Sequence, residues 1–157
     1  MTLSYDMILN TFLSKITEFE FLKIPEEDRI EIIDGYMIRA VNSFDKVCKY
    51  DLSKRDDINR EFTEDFDGSD INELVDIISE GMVVQWLKPY LFKQELLENV
   101  LNTADFTTYS PAELLLRVGN AYEKAQKDYT QMIREYSYNL GDLTELHIWL
   151  KAVLESQ

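Results

Sequence analysis

The chain has 157 residues, 45% of them apolar, with 30 acidic against 16 basic side chains and a net charge of −14. That length fits one domain with a real core, and the apolar share excludes wholesale disorder. The charge argues against holding nucleic acid or an anionic membrane through a basic footprint, and five glycines with three prolines are few for an all-β protein.

The spacing predicts a first helix over 4–20, where Tyr5, Ile8, Phe12, Ile16 and Phe19 share a face. Phe21, Leu22 and Ile24 form an apolar connector. Pro25 and three following acids then open a second helix, with Ile30, Ile33, Met37, Ala40, Phe44 and Val47 recurring at three and four. Gly35 is an interior glycine of the kind that marks close packing.

Residues 49–69 break the pattern. This stretch is charged, with Leu52, Ile58, Phe62 and Phe66 scattered through it, and reads as a long acidic loop with a short helical turn or a small hairpin. Asp70 and Glu73 form a capping box for a third helix through Ile71, Leu74, Val75, Ile78, Met82 and Trp86. Pro89 is expected to end or kink it. Residues 90–101 continue helically, and 102–109 form a loop.

The longest helix is expected over 110–141. Ser110, Pro111 and Glu113 open it in N-cap, first-position and capping-box roles. Leu115, Val118, Tyr122, Ala125, Tyr129, Met132 and Tyr136 make its apolar seam, and Gly141 is placed to cap it. Asp142 and Glu145 then open a short terminal helix bearing Leu146, Trp149, Leu150 and Val153. The expected fold is all-α, a bundle of four to five helices with one long charged loop and a long C-terminal helix. A helical domain spans 1–141 and a short helical extension spans 142–157.

Motifs for chemistry are missing from the sequence. Asp65, Asp67, Gly68 and Asp70 crowd together, but the EF-hand positions five before and six after the glycine hold Thr63 and Leu74. His147 is the single histidine and Cys48 the single cysteine, too few for structural zinc. Cys48 falls in an apolar row, as a buried structural thiol would. No P-loop, GxSxG or GxGxxG spacing occurs, and no cofactor is expected. The opening MTLSYDMILN carries Asp6 early and no positive n-region, so an intracellular, reducing compartment is expected.

The residues best placed for an interface are Asp56, Asp57, Phe62 and Phe66 of the charged loop, the tyrosines Tyr122, Tyr129 and Tyr136, and Trp149. Tyrosine and tryptophan combine an apolar body with a polar edge, which suits a protomer contact as well as a core.

The order of elements, with Glu61-Phe62-Thr63 in the charged loop and Met82-Val83-Val84-Gln85-Trp86-Leu87-Lys88-Pro89 in the third helix, resembles the head–tail connector (neck, or head-completion) proteins of tailed bacteriophages of Firmicutes. Asp105-Phe106-Thr107, Tyr109-Ser110 and Arg134-Glu135-Tyr136-Ser137-Tyr138 extend the resemblance over roughly 5–140. It implies a small helical bundle without enzymatic activity, assembled as a ring of twelve copies beneath the portal protein in the virion neck, after synthesis in the host cytoplasm. The loop and termini would meet neighbouring subunits, the portal and the next neck or tail-completion protein. A net negative charge suits a ring through which genomic DNA slides without being held.

A second function class also fits the composition: a small acidic inhibitor or adaptor that binds a basic, DNA-binding host partner. Such a mimic needs carboxylates spaced like phosphates on a rigid surface, whereas here they concentrate in a loop.

Overall fold

In the computed structural model, the backbone is described for residues 1–17, 28–92 and 111–155, and side chains within these except those of 92, 111 and 141–150. The fold is mainly α-helical, as expected. Four helices are present among the described residues: α1 (Tyr5–Lys15), α2 (Arg29–Phe44), α3 (Gly68–Phe92) and α4 (Pro111–Glu155). Three two-residue strands accompany them, β1 (Leu3–Ser4), β2 (Arg55–Asp56) and β3 (Glu61–Phe62).

Helix α3 is the centre of the bundle, and α1, α2 and α4 all pack on it. Its sequence shows why. Beyond the row Ile71, Leu74, Val75, Ile78, Met82 and Trp86, the side chains of Ile77, Val83, Val84 and Leu87 are also buried. A helix apolar on most sides finds its stable place inside, with neighbours on each face. Trp86 is fully buried and meets the Phe12 ring edge-on, centroids 6.2 Å apart. Around this centre, α1 buries Tyr5, Ile8 and Phe12, and α2 buries Ile33, Met37, Ala40, Val41 and Phe44.

The α1 N-terminus is capped by Ser4, whose Oγ accepts the Asp6 N–H at 3.2 Å. The helix is anchored to α3 at its other end, where Lys15 Nζ reaches Asp76 Oδ1 at 2.7 Å and Glu80 Oε2 at 2.8 Å.

The charged stretch is a folded lobe rather than a loop. It contains the expected small hairpin, β2 against β3, with Asp56 opposite Glu61. The N-terminal β1 adds to the other edge, Leu3 opposite Phe62, giving an antiparallel sheet of order β1-β3-β2. That third strand was not anticipated, because two residues are too short to carry a period.

Helix α3 runs through Pro89 to Phe92, in line with the helical continuation expected after the proline: the proline removes one backbone bond, and burial of the surrounding apolar residues holds the helix together. Three sequence expectations are corrected. Helix α4 likewise runs through Gly141 to Glu155, so the expected extension is a continuation of the same helix. An interior glycine costs only about 1 kcal/mol, which a helix of this length absorbs. The α4 seam opens with Leu114, 2% exposed, whereas Leu115 is 43% exposed. Ile30, assigned to the buried row of α2, is 57% exposed. The expectations at Phe19, the 21–25 connector, 93–109 and the Ser110 cap lie outside the described residues.

Candidate interaction surfaces

In the lobe between α2 and α3 several carboxylates serve the lobe's own backbone. Asp45 Oδ1 accepts the Leu52 N–H at 2.8 Å, and Asp51 Oδ1 accepts the Ser53 N–H at 3.0 Å. Asp56 accepts from the N–H groups of Ile58 and Asn59, at 3.0 and 3.1 Å, and from Asn59 Nδ2 at 2.7 Å. Asp67 accepts the Ser69 N–H at 3.0 Å ahead of α3. Donors around the charged form hold Asp51, Asp56 and Asp67 below the usual carboxylate range: chiefly the Ser53 hydroxyl, the Asn59 N–H and the Ser69 N–H, respectively. These are aspartates in their usual turn-forming role.

Tyr50 pins the lobe to α3. Its hydroxyl donates to Asp70 Oδ2 at 2.5 Å and accepts the Asp67 N–H at 3.0 Å, while its ring packs on Phe66. Arg60 pins the hairpin to the helices. Its guanidinium grips Asp34 of α2 through Nε (3.1 Å) and Nη2 (2.8 Å) and also pairs with Asp6 of α1. The Arg60 carbonyl accepts the Tyr5 N–H at 2.9 Å, and its φ of 54° is the left-handed conformation that closes the turn.

Two surface depressions stand out, one of them beside these elements. One, about 830 Å³, lies between the start of α2 and the hairpin, lined by Asp28, Glu31, Asp34, Asp57, Arg60 and Ile30. It is acidic, and its arginine is already engaged by Asp34. The other is a furrow of about 430 Å³ along α4, lined by Tyr122, Glu123, Gln126, Lys127, Thr130, Gln131 and Arg134. Among the described residues no group of three or more His, Cys, Asp or Glu side chains is placed to hold a metal ion. No described helix is long and apolar enough to cross a membrane.

The interface candidates separate sharply. Phe62 and Phe66 are buried in the core, where Phe62 stacks against Tyr5 at 5.1 Å. Tyr129 and Tyr136 are buried as well. The Tyr129 hydroxyl donates to the Ala40 carbonyl at 2.7 Å, and the Tyr136 hydroxyl accepts the Lys49 N–H at 3.0 Å beside Cys48 Sγ at 3.8 Å. These four residues serve the chain's own core and present no outer surface, because each aromatic face is covered by a neighbouring element. Tyr122 is half-buried and borders the furrow. Asp56 is half-buried as a turn cap, and exposed Asp57 accepts from the Tyr5 hydroxyl at 2.7 Å. The Trp149 and His147 side chains lie outside the described residues. Cys48 is half-buried, and burial pushes its thiol up, the condition of an inert cysteine.

Sequence reading missed two surface features. Ile58 is 94% exposed at the hairpin tip, and the signal was an isoleucine inside the turn sequence Asp57-Ile58-Asn59. Lys124, Lys127 and Arg134 are exposed along α4, where bases equal the acids Glu123, Asp128 and Glu135 on a chain that is otherwise strongly acidic. Comparison of the chain with protein-family models, curated proteins and solved structures finds no match.

Proposed function

We propose that the chain is a structural virion protein, a head–tail connector subunit that forms a ring with its own copies between portal and tail. The observation that carries this reading is α4. At 45 residues it measures about 67 Å by the α-helical rise, whereas a compact chain of this length has a radius of gyration of about 15 Å. Its last residues, 151–155, are all exposed, with Val153 37% and Leu154 72% accessible. A helix this long, with Leu154 largely exposed near its end, suits a protein that completes itself against neighbours. The acidic surface suits a ring through which genomic DNA passes without specific binding.

In this role the partners are further copies, twelve in the family the sequence resembles, then the portal and the next neck or tail-completion protein. No catalysis is assigned to it, and its place is the virion neck after assembly in the host cytoplasm. The acidic-inhibitor alternative gains nothing from the lobe, where Asp51, Asp56 and Asp67 are turned onto backbone N–H groups rather than ranked like phosphates.

Immunogold electron microscopy tests the proposal, with an antibody raised to residues 142–157 and applied to intact and disrupted particles of the source lysate. Gold at the head–tail vertex is the expected result. Gold absent from both preparations, with the protein recovered in the soluble fraction, overturns the reading.

A further inference from the structure

We infer that the β2–β3 hairpin tip of one copy docks into the α4 furrow of a second copy, with Ile58 as its apolar anchor. The inference deepens the assembly role proposed above and rests on it in taking the partner to be this same chain.

The first ground is the tip itself. Ile58 is the most exposed large hydrophobic side chain among the described residues, and it stands on a turn that has little freedom left to lose. Asp56 holds the two N–H groups on the tip, and Arg60 ties its base to Asp34 and Asp6. An apolar side chain offered on a preorganised turn binds with little ordering cost. Left in water it has no structural use, since the turn is closed by its neighbours.

The second ground is charge. Residues 51–70 carry eight acids and three bases, and each base already pairs within the chain: Lys54 with Glu64, Arg55 with Asp57, Arg60 with Asp34. The lobe therefore presents a surplus of negative charge. Residues 114–134 carry four bases and two acids in a chain whose net charge is −14. The furrow lies among these bases, with Lys127 and Arg134 on its border against the single acid Glu123, and Tyr122 at its edge. It runs between the ridges that residues four apart make on a helix. An isoleucine flanked by Asp56 and Asp57 fits a furrow whose exposed surface is mostly carbon and whose charged border, Lys127 and Arg134 with Glu123, is net positive. Complementarity of this kind selects the partner and fixes the register.

The two surfaces share no residue, so the contact is heterologous: each copy offers a tip to one neighbour and a furrow to another. Repetition closes into a ring when the rotation allows and otherwise runs on as a filament.

The test is an intermolecular NMR experiment on the full chain at millimolar concentration. One copy carries ¹³C-methyl isoleucine. The other, at natural abundance, carries Cys48→Ser and Glu135→Cys with a nitroxide at the new cysteine, exposed and just outside the furrow. Selective broadening of the Ile58 methyl, abolished by Lys127→Glu with Arg134→Glu in the nitroxide-bearing copy, is the expected result. Ile58→Ser should weaken self-association about tenfold or more in sedimentation equilibrium, the loss expected on removing one buried aliphatic anchor. Broadening of other isoleucines with Ile58 sharp overturns the inference and leaves the assembly role standing on a different face. No broadening at all also overturns it, and particle labelling then decides separately whether the assembly role survives.

Discussion

The ring of Tyr129 occupies the space that a side chain at Gly81 would need. A Cβ on Gly81 would stand 2.5 Å from Tyr129 Cε2 and 2.9 Å from the Cβ of Ala40. Three helices meet at this point: Gly81 from α3, Ala40 from α2 and Tyr129 from α4. The Tyr129 hydroxyl closes the junction on the Ala40 carbonyl at 2.7 Å. Gly81→Ala should therefore destabilise the fold by about 1–3 kcal/mol, the range for overpacking a tight core. Tyr129→Phe should cost about 1 kcal/mol, the net value of one buried hydrogen bond. Urea denaturation of both variants checks the order; an alanine at 81 as stable as wild type would refute the junction.

Gly35 is the opposite case. Its Cβ would meet only Arg39 Nη2 at 3.9 Å, ordinary contact with a flexible tip, so the close packing expected of this glycine belongs to Gly81 instead. Gly35→Ala should stabilise the protein by about 0.5–1 kcal/mol through helix propensity and a less flexible unfolded chain. Thermal unfolding followed by circular dichroism reads this as a raised Tm.

Arg60 combines a side-chain clamp with a left-handed backbone, and two substitutions separate them. Arg60→Ala loses the pairing with Asp34 and Asp6 and keeps the φ of 54°. Arg60→Gly loses the same pairing but suits that conformation. The alanine variant should be less stable than the glycine variant by about 1 kcal/mol, the penalty of a left-handed residue with a Cβ. Equal stabilities would mean that the turn relaxes out of its left-handed form.

Alkaline pH should unfold the protein through its tyrosines. Burial pushes Tyr129 up to about 12. It also raises Tyr136 and Tyr5, the latter further held by its bond to Asp57. In the unfolded chain these groups ionise near the usual value of about 10. The folded state thus keeps protons that the unfolded state releases, and stability, complete below pH 10, falls as pH rises toward and through 12. Tyrosinate absorbance should show these three ionising together with the loss of helical ellipticity. Tyr129→Phe should make the decline above pH 10 shallower.

The sequence by itself determined the helical class and most of the core. Ile8, Phe12, Ile33, Met37, Phe44, Leu74, Ile78, Met82, Trp86, Val118, Tyr129 and Tyr136 all lie on rows set by the helical period, and all are buried. Period works here because a helix of several turns repeats its pattern until chance is excluded. Only the tertiary structure decided what short range cannot encode. It turned Phe62 and Phe66 inward, paired Leu3 with Phe62 across 59 residues, and carried α4 past Gly141. It also left Ile58 bare at a hairpin tip and set bases beside a furrow on α4. Whether an apolar side chain is covered depends on which distant segment lies over it, and no local spacing records that.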